Sequence, residues 1–337
     1  MRALFLTLLA WIGFAPEAHA QWQPKSSRDP MPATEIERPL ALPRGWIQLD
    51  IGYEQHMGRG QWTSDGHVSK FESVRWNQYT EHLRIAYGVS RHAELWWEIP
   101  FVQGRLVNER WPDGVSIFDS TLGDQRFGWR LQLLRTEAPA SSLILDTWYK
   151  APTAKEAPGN YIGGPLNQQH LIMTTGTSDW YIGGAYKRQF GPICLVGRLG
   201  WLHRFSGVVQ YLVELNELQF SARIKPGDQL RVSADFLVQL GPIAIFATPE
   251  FEYRLVTSAG TTSKGFLTPN KNLRPIEDSD GYALDLQLQL KINVTRGFDV
   301  AGYYVQPLLG QDLDFFPIED LHPTWGPDFG GRVEARF

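Results

Sequence analysis

The 337-residue sequence lacks the features of several large protein classes. Beyond residue 20 no run of about 18 apolar residues occurs, so we predict no transmembrane helix. The single cysteine, Cys194, excludes an intrachain disulfide. The 32 basic and 36 acidic residues nearly balance, which predicts no basic surface for nucleic acid. The sequence also has no Gly-x-Ser-x-Gly motif of a hydrolase nucleophile, no His-Glu-x-x-His motif of a zinc-binding helix and no other spacing typical of metal ligands. We therefore expect neither enzyme activity nor a cofactor.

The first 20 residues predict a secretory signal that is cleaved. Arg2 supplies the positive start, residues 3–14 are apolar, and Ala18-His19-Ala20 places small residues where signal peptidase reads them. We expect N-terminal sequencing of protein from outer membranes to find Gln21 first. A start that still contains residues 5–14 would instead mean a membrane anchor, for which the apolar stretch is too short. No cysteine follows the cleavage site, so we expect no lipoprotein.

Residues 21–44 predict a proline-rich periplasmic leader. Pro24, Pro30, Pro32, Pro39 and Pro43 interrupt the stretch, and its apolar residues follow no regular period. We therefore expect poor order up to residue 44 and a folded domain over residues 45–337.

The segment at residues 282–292 alternates strictly between apolar and polar side chains. One face carries Tyr282, Leu284, Leu286, Leu288, Leu290 and Ile292, and the other carries Asp285, Gln287, Gln289 and Lys291. Because successive side chains of a strand point to opposite faces, this pattern predicts a strand with one apolar face. Similar alternation at residues 93–101, 126–133, 230–238 and 243–255 predicts further strands of about ten residues, the length of a tilted membrane-crossing strand.

The connections between these segments fall into two classes. Short turns occur at residues 88–91, 137–140, 191–192 and 295–297, and long polar stretches at 57–72, 107–120, 151–175, 257–280 and 309–327. This division favours an all-β, antiparallel up-and-down transmembrane barrel over a soluble sandwich or lipocalin-like barrel, with short periplasmic turns and long extracellular loops. About thirteen candidate strands occur, whereas bacterial barrels have even numbers. Residues 207–225 hold two short crossings, which gives fourteen strands, or two of the candidate strands there are one, which gives twelve.

The chain ends within a predicted strand on an aromatic residue. Phe329, Gly331, Val333, Ala335 and Phe337 alternate with charged residues. The pattern resembles the terminal signal of outer-membrane barrels, which their insertion machinery recognises. The resemblance implies that Phe337 is an assembly signal, that the protein lies in the bacterial outer membrane, and that its partners are outer-membrane lipid and the barrel insertion machinery.

Three segments resemble the MetA-pathway phenol-degradation family of outer-membrane channels. They are Tyr87-Gly88-Val89-Ser90-Arg91-His92-Ala93-Glu94-Leu95 with Pro100, Leu122-Gly123-Asp124-Gln125-Arg126-Phe127-Gly128, and Thr175-Gly176-Thr177-Ser178-Asp179-Trp180. The resemblance covers most of residues 80–205 and departs at Ala154, where the family has glycine. It implies a channel associated with the catabolism of aromatic compounds.

The polar face of the strands predicts a charged lumen. The residues that we expect to line it are Arg84, Glu94, Glu98, Arg126, Arg130, Asp146, Arg198, Arg223, Arg231, Asp235, Glu250, Glu252, Arg254, Asp285, Lys291, Arg332, Glu334 and Arg336. Both signs are interspersed, so we expect mutual pairs; Asp124 and Arg126, two residues apart, are one candidate pair. A barrel of 12–14 strands filled with long side chains is narrow. Such a lumen fits a wall of paired charges alone or a selective passage, and the resemblance to the channel family favours the passage.

Two functions from different classes fit this pattern. The first is a passive channel for small, aromatic or hydrophobic, solutes. The second is a structural or surface-interaction barrel that acts through its long loops, which contain Trp62, Trp111 and Trp325. A third, an outer-membrane hydrolase, would need loop residues such as Asp278, Asp280, Asp312 and Asp314 with His170 or His322. The sequence leaves the solute, the oligomeric state and any plugging of the lumen open.

Overall fold

A computed structural model describes residues 28–63, 65–70, 74–108, 116–137, 140–153, 161–162, 177–213, 218–260, 273–275, 280–311 and 324–337. Within them, twelve antiparallel strands close into a barrel. They are β1 (Ile47–Gly58), β2 (Val74–Ser90), β3 (Ala93–Asn108), β4 (Gln125–Glu137), β5 (Ala140–Ala151), β6 (Asp179–Phe190), β7 (Ile193–Arg204), β8 (Gln229–Leu240), β9 (Ile243–Arg254), β10 (Gly281–Thr295), β11 (Phe298–Gln311) and β12 (Asp328–Arg336).

Each strand pairs with its neighbour in sequence, and β12 pairs with β1. The sheet therefore has no free edge, as a wall in lipid requires. The all-β up-and-down barrel is confirmed, and the strand number is twelve. None of the residues described forms a helix long and apolar enough to cross a membrane.

The alternation at residues 282–292 is confirmed in β10. Leu288, Leu290 and Ile292 are exposed on the outer surface, whereas Gln289 and Lys291 are buried inside. A shift of one residue would move every apolar side chain of the strand to the inner face, so this pattern fixes the register.

Short strands extend the wall or lie in the long loops. Ser116–Leu122 pairs with the far half of β3. Gly60–Trp62, Val68–Lys70 and Thr324–Trp325 form a three-stranded sheet, and Tyr161–Ile162, Gly207–Val213, Leu218–Lys225, Ser258–Gly260 and Arg274–Pro275 form a five-stranded sheet.

The expectation of two crossings within residues 207–225 is wrong. Gly207–Val213 and Leu218–Lys225 pair with each other, and the second also pairs with Ser258–Gly260. At seven and eight residues each strand is shorter than the 9–11 residues that a membrane crossing needs. Arg223 consequently lies in a loop hairpin and not on the barrel wall, and residues 205–228 form one more long connection.

Residues 28–44, which we name the plug, lie inside the barrel. Met31, Ile36, Ala41 and Leu42 are buried, and they pack against apolar side chains on the inner wall. The prediction of poor order for residues 21–44 is therefore wrong for residues 28–44, the part of this stretch that the structure describes. Its prolines prevent regular structure, but its apolar side chains still bury against inward-facing ones.

Aromatic rings lie flat against glycines on the inner wall. Tyr181 of β6 covers Gly200 of β7, where an added Cβ would lie 2.1 Å from the tyrosine hydroxyl oxygen. His82 covers Gly52, and Tyr303 covers Gly330 in the same way. The glycines let these rings lie against the wall rather than project across the lumen.

We expect Gly200→Val to lower the free energy of unfolding by about 1–3 kcal/mol, because the new side chain displaces the Tyr181 ring. Urea titration of the refolded barrel in detergent measures the change. The control is Gly197→Val on the same strand, since Gly197 faces outward with no atom within 4 Å of an added Cβ. Equal destabilisation by the two substitutions would contradict the proposed packing.

Candidate functional site

The plug enters and leaves the lumen at the short-turn end of the barrel. The Asp29 amide donates to the Arg44 carbonyl at 3.2 Å, which holds the two ends of the plug together. The indole of Trp46 donates to the Asp29 carbonyl at 2.8 Å. The amide of Gly45 donates to the Gly88 carbonyl on β2 at 2.8 Å. The plug is therefore a loop with both ends anchored beside β2.

The returning half of the plug binds the near wall. The Leu42 amide donates to the carboxylate of Glu94 on β3 at 2.7 Å, and the Leu40 amide donates to the Ser142 hydroxyl on β5 at 3.1 Å. Leu42 also packs in a buried cluster with Trp96. Glu94 and Ser142 are buried, so these bonds satisfy polar groups that water does not reach.

The tip of the plug crosses the lumen to the far wall. The Arg38 guanidinium contacts the carboxylate of Asp299 on β11 at 2.5 Å, and Asp299 is fully buried. Lys187 on β6 donates to the carbonyls of Glu35 and Arg38 at 2.6 and 2.8 Å. The Glu35 amide donates to the Gln239 side chain on β8 at 3.2 Å. The tip thus binds three strands, β6, β8 and β11, that are not neighbours in the sheet.

A buried ion cluster surrounds the tip. Lys291 on β10 lies 3.0 Å from the Glu35 carboxylate and 2.7 Å from that of Glu334 on β12. Arg336 contacts both Glu334 and Asp299. Carboxylates and cations alternate through the cluster, so each buried charge has an opposite neighbour.

The charge state of Glu35 follows from these neighbours. Burial alone would raise the pKa of Glu35, but the positive charges of Lys291, Lys187 and Arg38 hold that pKa well below its usual range. Glu35 is therefore ionised at neutral pH. Its contribution to plug binding is present above the ordinary carboxyl pKa and is lost only as the pH falls through the lowered value.

Beyond the plug, most charged side chains of the inner wall are paired across strands. The pairs are Arg84–Glu94, Arg130–Glu94, Arg130–Asp146, Arg126–Glu98, Arg198–Asp235, Arg231–Glu252 and Lys150–Asp179. The predicted Asp124–Arg126 pair is wrong: Arg126 lies 3.1 Å from Glu98, and Asp124 lies 3.7 Å from Lys150. Directly opposed residues of neighbouring strands lie closer than residues two apart on one strand.

The predicted lumen residues occupy barrel strands at positions that alternate inward, with the exception of Arg223. The sequence missed Glu35 and Arg38 of the plug and also Lys187 and Asp299. The alternation that begins at residue 298 could have found Asp299, because Asp299 lies between outward-facing neighbours. Nothing in the local pattern pointed to Arg38.

Several inward carboxylates lack a cationic partner within 4.0 Å among the residues described. Asp50 and Glu54 on β1 accept hydrogen bonds from the Gln48 amide and the Tyr303 hydroxyl instead. Glu250 on β9 and Asp285 on β10 are directly opposed, and neither has a lysine, arginine or histidine nitrogen within that distance. Because two opposed carboxyl groups repel each other when both are ionised, this pair leaves at least one negative charge facing the lumen.

Aromatic faces also line the lumen. Trp148 and Tyr181 stack with their ring centroids 5.3 Å apart, and the Arg126 guanidinium lies 5.4 Å from the Trp148 ring centroid. The lumen beyond the plug thus offers ring faces, paired charges and carboxylates without a cationic partner.

The residues considered for hydrolysis are largely outside the described part of the chain. His170, Asp278, Asp312, Asp314 and His322 all lie there. Asp280 is described and accepts a hydrogen bond from the Tyr253 hydroxyl at 3.2 Å. Across the ranges that the structure covers, no group of three or more His, Cys, Asp or Glu could hold a metal ion.

Comparison with solved structures found an outer membrane protein of similar fold. The chain is similar to the COG4313 outer membrane channel from Pseudomonas putida F1, with a TM-score of 0.65, 12% sequence identity, and coverage of 92% of this chain and 99% of that chain. The translocator domain of autotransporter NalP from Neisseria meningitidis matches with a TM-score of 0.44, 10% identity, and coverage of 86% and 88%. No protein-family model and no curated protein matches the chain. The first likeness shows the fold of an outer-membrane β-barrel.

Proposed function

We propose that this protein is an outer-membrane channel for small solutes and has no catalytic role. The observation that carries the proposal is the inner wall: charges line it beyond the plug, and rings lie flat along it. A barrel that served only as a scaffold would gain nothing from uncompensated carboxylates in its lumen, because leaving a charge unpaired costs free energy. The likeness to an outer membrane channel supports the same function.

The lining suggests which solutes pass. Trp148 and Tyr181 offer ring faces on the inner wall, and Glu250 and Asp285 offer negative charge there. This combination favours small solutes with an apolar or aromatic body, in agreement with the resemblance at residues 80–205. It also favours cations over anions, because fixed charge in a narrow lumen selects counter-ions.

Current recording in planar lipid bilayers tests the proposal. We expect the inserted barrel to give stepwise currents with a preference for cations. The double substitution Glu250→Gln and Asp285→Asn should lower the cation-to-anion permeability ratio roughly two-fold, because it removes the uncompensated charge. The control is Glu81→Gln, since Glu81 alternates to the outer face of β2. A folded, inserted barrel that passes no current would instead favour the structural or surface-interaction barrel.

A further inference from the structure

We propose that the plug is a hinged gate that swings out at the short-turn end, with its hinge at Gly45 and its latch between Arg38 and Asp299. As a device that opens and closes the lumen, it rests on the proposed channel function.

The hinge lies where the plug joins the barrel. Gly45 has a φ of 78°, a conformation that glycine adopts without strain and other residues avoid. One residue later the chain enters β1 through Trp46, and on the other side Arg44 is exposed. A rotation at Gly45 would therefore move residues 28–44 together without breaking the pairing between barrel strands. It would break the bonds of Leu40 and Leu42 to Ser142 and Glu94, and Glu94 would keep its contacts with Arg84 and Arg130.

The latch is polar rather than apolar. Arg38 reaches Asp299, Lys187 donates to two plug carbonyls, and Glu35 contacts Lys291. Polar groups of this kind exchange their partners for water when a segment opens. A purely apolar seal would lose its whole hydrophobic contribution on opening.

The wall side of the latch keeps partners when the tip leaves. Asp299 still contacts Arg336 and accepts a hydrogen bond from the Asn293 amide at 2.9 Å. Lys291 still lies 2.7 Å from Glu334. Asp299 and Lys291 therefore keep opposite charges, and an uncompensated buried charge is the usual reason why breaking a buried ion pair is costly. Lys187 loses two plug carbonyls, and water in the opened lumen replaces them. The wall is therefore compatible with both a seated and a released plug, as a two-state element requires.

A native thiol reports on the position of the plug. Cys194 points inward from β7, is fully buried, and belongs to one cluster with Ile36 of the plug and Leu237 of β8. It is the single cysteine of the chain. When the plug swings away, Cys194 becomes accessible from the lumen.

The test measures the rate at which a charged, water-soluble maleimide labels Cys194 in the refolded full-length mature barrel. We expect Arg38→Met to raise the rate about tenfold, because it removes the latch while Asp299 keeps Arg336. Arg38→Lys, which retains the charge, should restore most of the protection. Arg44→Met is the matched control, since this exposed arginine belongs to the same segment and lies outside the latch, and its rate should equal that of the unsubstituted chain.

Equal labelling rates for Arg38→Met and Arg44→Met, in barrels that remain heat-modifiable, would overturn the gate. If Arg38→Met does not fold, Glu35→Gln replaces it, because Lys291 then keeps Glu334. Bilayer recordings of the same variants separate the two proposals. If Arg38→Met is labelled faster but no variant passes current, the plug is mobile and the proposed channel function is refuted. Current with unchanged labelling would keep the channel and refute the gate.

Discussion

Leu286→Arg should block stable insertion of the barrel. Leu286 lies on β10 on the same face as Leu288 and Leu290, which are exposed on the outer surface. A charged side chain on the lipid face near the bilayer midplane costs about 2–4 kcal/mol. The expected result is loss of the folded, fast-migrating band in a heat-modifiability gel.

The adjacent position provides the control. Gln287 points inward, where its amide donates to the Gln289 side chain at 3.3 Å. Gln287→Arg should therefore be tolerated, since the lumen already carries charge of both signs. If Leu286→Arg and Gln287→Arg migrate alike, the assignment of inner and outer faces in β10 is wrong.

Deletion of Phe337 should impair assembly in cells far more than the stability of the finished barrel. Phe337 and Ile47 exchange two backbone hydrogen bonds, of 2.9 and 3.1 Å, where the last strand meets the first. Each of these bonds contributes about 0.5–1.5 kcal/mol, and burial of the apolar side chain contributes about 1.5–3 kcal/mol. Their loss is small beside the many other contacts that stabilise the barrel. The proposed docking of the last strand on the insertion machinery would be lost entirely.

The measurements are the amount of folded protein in the outer membrane and the yield of refolding from urea into detergent. We expect the first to fall strongly and the second to stay nearly normal. Phe329→Ala is the matched control, because Phe329 is an outward-facing phenylalanine of β12 and its substitution leaves residue 337 intact. Its ring centroid lies 5.1 Å from that of Tyr304. Normal accumulation of the deleted protein in the outer membrane would refute the assembly role of Phe337.

The strands of the barrel wall could be predicted because the face on which each side chain lies depends only on neighbouring residues in the sequence. Alternation with a period of two assigns each side chain of β10 to a face, and the same rule placed Glu94, Arg130 and Asp235 in the lumen. The rule failed at residues 207–225, where alternation alone does not separate a membrane-crossing strand from a loop hairpin. Length would have decided that case, because neither strand of the hairpin reaches nine residues.

The partners of the charged side chains were harder to predict than their faces. Arg126 was expected to pair with Asp124 along the strand, yet it contacts Glu98 across the sheet. A prediction of pairs needs the register between strands, which a single sequence does not provide. The register places Arg126 directly opposite Glu98.

The plug could not be predicted, because its contacts are distant in sequence. Arg38 and Asp299 are 261 residues apart. The plug has no period, and its prolines resemble those of a disordered leader. Its burial follows only from the shape of the closed barrel, which has room inside for a loop with both ends on one side.

The separation between Arg38 and its partners also sets an order of events during folding. The plug precedes β1 in the chain, but its tip binds charges on β10 and β11 and lies beside a cluster completed by β12. The binding surface for the tip is therefore complete only when the last hairpin has joined the sheet, although Lys187 and Gln239 offer part of it on β6 and β8. Contacts of such long range form late, because the entropy of closing the intervening chain must be overcome first. We therefore expect the plug to seat fully only at the end of folding, in a barrel whose strands are all in place.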